Sequence, residues 1–356
     1  MATKLLSRYP WASGPFIISA PMRVMSGPAL AVAVSRAGGL GFIGPGIKTK
    51  DVGIDLEEAS AMVKKIRASS PVFDSLPSKN ALLPVGVGIQ LWADDLKDAI
   101  SAIEKFKPCA AWLYAPRDDP EDYVKWSHHI RQASPETQIW IQIGTLGEAK
   151  QLLQIAQKPD VIVVQGSESG GHGRAKDGMG LVSLFPEIAD AVAASQIPLV
   201  AAGGIADGRG AAAVLCLGAF GVVLGTRFLA AEETRISKGY QNEVVRASDG
   251  GANTTRTLLY NHLRGTFGWP DAYSPRTIIN KSFIEQQEGA SFDELKGLHD
   301  EALKAGDDGW GPDGRLATYA GASVGLVHSV ASAEDIVREV QSGALEKIQS
   351  LGFYSA

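Results

Sequence analysis

The sequence has little cysteine. Its 356 residues include only Cys109 and Cys216, far apart and each in an apolar stretch. Small oxidised scaffolds need several pairs, so a disulfide framework is excluded. The two thiols are expected to fill core positions as small hydrophobes in a reducing, cytoplasmic compartment. Positive charge is also short: 34 Lys and Arg stand against 39 Asp and Glu, a net charge of −5. The densest basic tract, Lys64-Lys65-Ile66-Arg67, reads as the solvated face of a helix. Nucleic-acid binding needs a positive footprint, so that class of partner is excluded. No apolar run approaches the roughly 20 residues that span a bilayer. The opening MATKLLSRYPWASGPF lacks the sustained apolar stretch of a signal peptide.

Several chemical signatures are missing as well. Neither cysteine begins a C-x-x-C and no histidine pair has zinc-ligand spacing, so no metal site is expected. There is no phosphate loop of the G-x-x-x-x-G-K-[ST] type. No G-x-G-x-x-G follows the first apolar run, which argues against a dinucleotide-binding sheet. The segment GSESGG places Glu168 where a hydrolase elbow would need its serine nucleophile.

What is abundant is glycine, 40 residues, clustered at the ends of short apolar runs. Eight such runs recur: FIISAP (16–21), LGFIG (40–44), LLPVGVGI (82–89), CAAWLY (109–114), IWIQI (139–143), VIVVQG (161–166), PLVAAGG (198–204) and FGVVLG (220–225). They are nearly continuously hydrophobic, as parallel strands covered on both faces must be. Helical patterns separate them, with starts at Gly27-Pro28, Asp94-Asp95, Pro120-Glu121-Asp122 and Asp207-Gly208. Eight strands alternating with helices predict an α/β fold of the (β/α)₈ TIM-barrel type. A doubly wound sheet is the alternative, but it typically has fewer strands. From about 240 to 320 the chain turns polar, aromatic and turn-rich, with FDELKGLHDEALKAG helical. The stretch 332–351 is then an amphipathic helix suited to close the ring. The expected layout is a barrel from 1–240 plus 321–356, with a small inserted cap at 241–320.

In this fold chemistry sits at the C-terminal ends of the strands. Gly203-Gly204 and Gly225-Thr226 follow the last two runs, where exposed backbone N–H groups make an anion site without lysine. The bland alternative is that these glycines merely permit tight turns. Among six histidines, His172 alone follows a barrel strand, framed by Gly170, Gly171 and Gly173. An imidazole titrates near neutrality, which suits proton abstraction. His128 and His129 fall on an exposed helix, His262 and His299 in the cap, and His328 has no polar neighbours of note. A purely structural histidine is the competing reading at 172.

Taken together, APM near the start, AVAVSRAGGLGFIG, QGSESGGHG, AAGGIADGRG, LGTRFLAAEET, TTRTLLYNHLRGTFGWP and YAGASVGLVHSVASAEDIV resemble the nitronate monooxygenase (2-nitropropane dioxygenase) family. The resemblance covers nearly the whole chain and implies an FMN barrel. It implies that Pro21, Met22 and Arg23 lie against the flavin, and that Ala202, Gly203, Gly204, Gly225 and Thr226 bind its phosphate. It implies that His172 is the catalytic base, with Gly171, Gln142 and Gln165 beside the flavin ring. The implied reaction is oxidation of alkyl nitronates, or nitroalkanes, by O₂ to a carbonyl compound and nitrite. The loop departs from the family at SESGGHGR, where Ala is common between Glu and Gly-Gly, and Arg174 suits either an anionic substrate or solvent. An NAD(P)H-dependent enoyl reductase or a specialised flavin oxygenase is the same-fold alternative. A non-catalytic barrel for a phosphorylated ligand is the alternative of another class.

Overall fold

The computed structural model describes residues 5–69, 73 and 82–354. Residues 1–4 of the N-terminal stretch and 355–356 of the C-terminal one lie outside the described residues. All eight apolar runs become strands of one parallel sheet. They are β1 (Ile17–Ser19), β2 (Phe42–Ile43), β3 (Leu83–Gln90), β4 (Pro108–Tyr114), β5 (Gln138–Ile143) and β6 (Val161–Gln165), then β8 (Leu199–Ala202) and β9 (Gly221–Leu224). The order is β1-β9-β8-β6-β5-β4-β3-β2. A parallel bridge from Ile18 to Leu40 closes the ring, with Leu40 N–H donating to Ile17 O at 2.9 Å and Ser19 N–H to Leu40 O at 3.1 Å. The continuous hydrophobicity has a direct cause: every residue of β3, β4, β8 and β9 is buried, by the barrel interior on one face and helices on the other.

The barrel interior is aromatic at one end. Phe42 meets Trp112 edge-on at 5.1 Å, and Trp140 stacks on Trp112 at 6.0 Å. Tyr9 reaches in from the N-terminal segment, and its hydroxyl accepts from Trp140 Nε1 at 3.0 Å. This packing leaves the C-terminal mouth as the open end. Gly88 of β3 serves that mouth. A Cβ there would stand 2.4 Å from Pro21 Cβ, so the bare backbone lets the loop after β1 fold across the barrel.

The helix starts follow the sequence signals. Gly27 caps Pro28–Arg36 with Pro28 in the first turn, Asp95 caps Leu96–Phe106, and Pro120 precedes Glu121–Ala133. The basic tract lies on the helix Lys50–Ser69 with Lys64 and Lys65 exposed. Among the described residues no helix is long and apolar enough to cross a membrane. One core assignment is corrected. Cys109 is buried, but Cys216 is exposed at the last position of the helix Gly208–Cys216, where the apolar stripe has turned away.

The C-terminal amphipathic helix spans Ala333–Ser350 and packs against Gly208–Cys216 and Pro28–Arg36, completing the outer ring. It buries Ile336, Val337, Val340 and Ala344 and is capped by Ser332, whose Oγ accepts from Asp335 N–H at 3.1 Å. Replacing Ser332 with Ala is expected to cost about 1 kcal/mol, the usual value of such a cap. Denaturant melts of the two proteins at equal m-value test this, and an unchanged midpoint would show that the ring holds this helix without its cap.

The segment 241–320 carries β10 (Thr254–Arg256) and β11 (Tyr273–Ile278), antiparallel to each other, and the helices Leu259–Leu263, Lys281–Gln287 and Phe292–Lys304. The third strand of its sheet, β7 (Gly171–Arg174), comes from the loop after β6, with His172 opposite Pro275 and Gly171 opposite Arg276. The histidine loop is therefore pinned as the edge strand of a second sheet across the barrel mouth.

Candidate active site

A cavity open to solvent lies at the C-terminal ends of the strands. Every residue given a catalytic or cofactor role from the sequence lines it. Pro21, Met22 and Arg23 come from the loop after β1, Gln142 from β5 and Gln165 from the end of β6. Gly171 and His172 come from β7, Ala202, Gly203 and Gly204 from the end of β8 and its loop, and Gly225 and Thr226 from just beyond β9.

Gly203 and Gly204 have φ of +98° and +74°, the left-handed region that side chains resist. Among the described residues, the amides of Gly203, Gly204, Gly225 and Thr226 donate to no protein acceptor. Four unpaired donors at one wall of a cavity form an acceptor-seeking cradle, which suits the terminal phosphate of FMN. The following helix end does not contribute, because the Asp207 carboxylate already accepts from Arg209 and Gly210 N–H. Gln142 is oriented by Trp112, whose Nε1 donates to its Oε1 at 3.1 Å, leaving the Gln142 amide nitrogen as the free end. The residues present therefore fit a cofactor that ends in a phosphate.

The His172 ring stacks flat on Trp269, with centroids 3.4 Å apart and planes 6° apart. Its Nε2 lies 2.8 Å from Asn261 Nδ2, and Asn261 Oδ1 accepts from the Tyr319 hydroxyl at 3.0 Å. Burial, then the charges of Arg256, Arg23 and Arg264, push the imidazole down to about 3, so the ring is neutral at pH 7. The Arg256 guanidinium fixes the loop that carries it, donating to the carbonyls of Ser167, Ser169, Gly171 and Ser274 and to Ser169 Oγ. The Ser167 carbonyl accepts from the Arg276 guanidinium as well, so two arginines hold this loop.

Two residues of the histidine loop act elsewhere. Arg174 does not line the cavity, as it pairs with Glu148 at 3.1 Å and Asp177 at 2.5 Å. Its place is therefore neither the substrate pocket nor free solvent. Glu168 accepts from Leu181 N–H at the start of the helix Leu181–Val192, an end-capping role. The sequence reading missed Asn261, Trp269, Tyr319 and Arg256. Their signal was the polar, aromatic texture of the cap, which marks a binding surface without saying which side chains face the barrel.

Comparisons with known proteins give the family of the chain. The family model described as nitronate monooxygenase matches residues 11–341. A nitronate monooxygenase of Metarhizium robertsii is 58% identical, over 96% of this chain and 94% of its own length. A nitronate monooxygenase of Neurospora crassa is 32% identical, over 99% of this chain and 95% of its own. Among solved structures, FabK from Thermotoga maritima superposes with a TM-score of 0.73 at 25% identity, covering 99% of this chain and 98% of that one. This chain therefore belongs to the nitronate monooxygenase family, whose members are oxidoreductases.

Proposed function

We propose that this protein binds FMN in the barrel mouth and oxidises alkyl nitronates with O₂, yielding a carbonyl compound and nitrite. The observation that carries the reading is the pairing, in one cavity, of a neutral imidazole with a wall of four unpaired backbone amides. When bound, FMN supplies the redox chemistry between substrate and O₂. The chain supplies the rest. Gly203, Gly204, Gly225 and Thr226 hold the phosphate, while Pro21, Met22 and Arg23 lie along the ring system with Gln142, Gln165 and Gly171 at its polar edge. Arg23 and Arg264 put positive charge in the cavity, which favours a nitronate anion. His172, kept neutral, takes the α-proton when the substrate is a neutral nitroalkane. The imidazolium is confined to strongly acid pH, so anion binding falls to the arginines and not to a protonated His172.

The purified protein is expected to be yellow and to release FMN on denaturation, since the cavity wall offers amides for a single terminal phosphate. Chromatography of the released cofactor checks this, and FAD as the sole flavin would falsify it. Reduction without O₂ then separates the chemistries. Bleaching by a nitronate such as propyl-2-nitronate supports the proposal, whereas bleaching only by NAD(P)H would make the chain an enoyl-reductase-like enzyme. A colourless protein that takes up no FMN would leave a ligand-binding barrel.

A further inference from the structure

The hydrogen bonds around His172 assign its proton. The Tyr319 hydroxyl has one hydrogen-bond partner among the described residues, Asn261 Oδ1 at 3.0 Å. With the Tyr319 hydroxyl donating to Asn261 Oδ1, the nitrogen of the same amide is turned toward the histidine. Asn261 Nδ2 then donates to His172 Nε2 at 2.8 Å. A nitrogen that accepts a hydrogen bond carries no proton, so the neutral ring holds its proton on Nδ1. Trp269 lies parallel to the ring at 3.4 Å and hinders it from tilting out of this contact. No protein group among the described residues bonds Nδ1, and the ring lines the cavity.

We propose that Asn261, oriented by Tyr319, is a positioning residue that occupies the Nε2 lone pair of His172 and thereby makes the enzyme favour nitronates over neutral nitroalkanes. The inference rests on the proposed function. A nitronate has already lost its α-proton, and one of its oxygens accepts a hydrogen bond from Nδ1–H. A neutral nitroalkane must break its α-C–H bond. The proton passes to Nε2, the electron pair stays on the substrate as nitronate, and the Asn261 N–H must first withdraw. The ring would then be an imidazolium facing Arg256, Arg23 and Arg264, with no carboxylate bonded to it. Nitroalkane use is restrained twice, by the occupied lone pair and by the adverse charge.

The test uses the flavin-loaded, oxidised protein with ¹⁵N-labelled histidine, His172 being identified by the signals missing from a His172→Asn variant. Wild type is expected to show a protonated Nδ1 and an unprotonated Nε2. Asn261→Leu removes the donor and is expected to raise the ratio of kcat/KM on nitroethane to that on ethyl nitronate by about 2- to 10-fold, the equivalent of one hydrogen bond. Asn261→Asp presents only acceptors and is expected to move the proton to Nε2. Should Asn261→Leu fail to fold, Tyr319→Phe serves instead, because losing the orienting hydroxyl frees the amide to invert and should mix the two ring forms. A wild-type ring protonated on Nε2 overturns the proposal, as does a substrate ratio unchanged by Asn261→Leu. A protein that shows the Nδ1–H ring but consumes no nitronate refutes the proposed function while leaving the hold of Asn261 on the ring intact.

Discussion

Replacing His172 with Asn is expected to lower kcat/KM for neutral nitroalkanes by about 10²-fold, the low end of what a positioned base contributes. Turnover of preformed nitronates should fall far less, because no C–H bond has to break. The side chain lines the cavity without holding the phosphate cradle, so FMN content should be unchanged. Asparagine keeps a polar group of similar reach but cannot take the proton. The low end is expected because the wild-type base is already restrained: its Nε2 accepts from Asn261 and burial holds the ring down to about 3. Steady-state rates on nitroethane and ethyl nitronate, with flavin absorbance as the folding control, decide it. Equal losses on both substrates would make His172 a binding residue, and no loss on either would remove it from the mechanism. The same environment sets the pH dependence. A lowered pKa confines the charged ring to low pH, so activity that needs neutral His172 is lost only as pH falls toward about 3. Between pH 5 and 7, wild-type kcat/KM should show no acid limb from this residue. A limb near 6.5 that disappears in His172→Asn would show that the ring is not held down.

Replacing Gly204 with Val is expected to weaken FMN binding by about 10- to 100-fold, the range that a strained left-handed residue costs. The residue has φ +74°, and a Cβ there would stand 3.0 Å from Glu168 Cβ, before the two γ-methyls are counted. Glu168 is poorly placed to yield, since its carboxylate accepts from Leu181 N–H. Relief has to come from the backbone whose amide faces the cavity. By sequence Gly225 looks equivalent, and its replacement would be expected to act in the same way. The structure separates the two: Gly225 has ordinary negative φ, and a Cβ would meet Ala20 Cβ at 3.7 Å and Met22 Sδ at 4.0 Å, normal contacts. Gly225→Ala should therefore retain most of its flavin. Equilibrium dialysis against FMN, after circular dichroism has excluded unfolding, measures both. Stoichiometric FMN in Gly204→Val would place the phosphate elsewhere, and flavin loss in Gly225→Ala would mean that the cradle is tighter than its van der Waals contacts indicate.

The two predictions draw on different depths of information. Gly203, Gly204 and His172 were legible because each follows an apolar run at a strand end, and the fold collects strand ends in one place. Asn261, Trp269 and Tyr319 were not. They stand in the cap with no periodic pattern to mark them, and the Asn261–His172 contact spans 89 residues. Arg174 shows the converse: two residues after the histidine, and so on the same face of β7, it is drawn to Glu148 and Asp177 and does not line the cavity.

The sequence by itself determined the eight barrel strands, the helix starts, the closing helix and the identity of the strand-end residues. These follow from local requirements. A strand buried on both faces must be continuously apolar, a helix needs a cap, and a tight strand-to-helix turn needs glycine. Only the tertiary structure decided that the histidine loop becomes a strand of the cap sheet, which nitrogen of His172 is occupied, and which glycine is intolerant of a side chain. Those outcomes depend on contacts between segments far apart in the chain, such as the pairing of β11 with β7, whose geometry leaves no trace in composition or spacing.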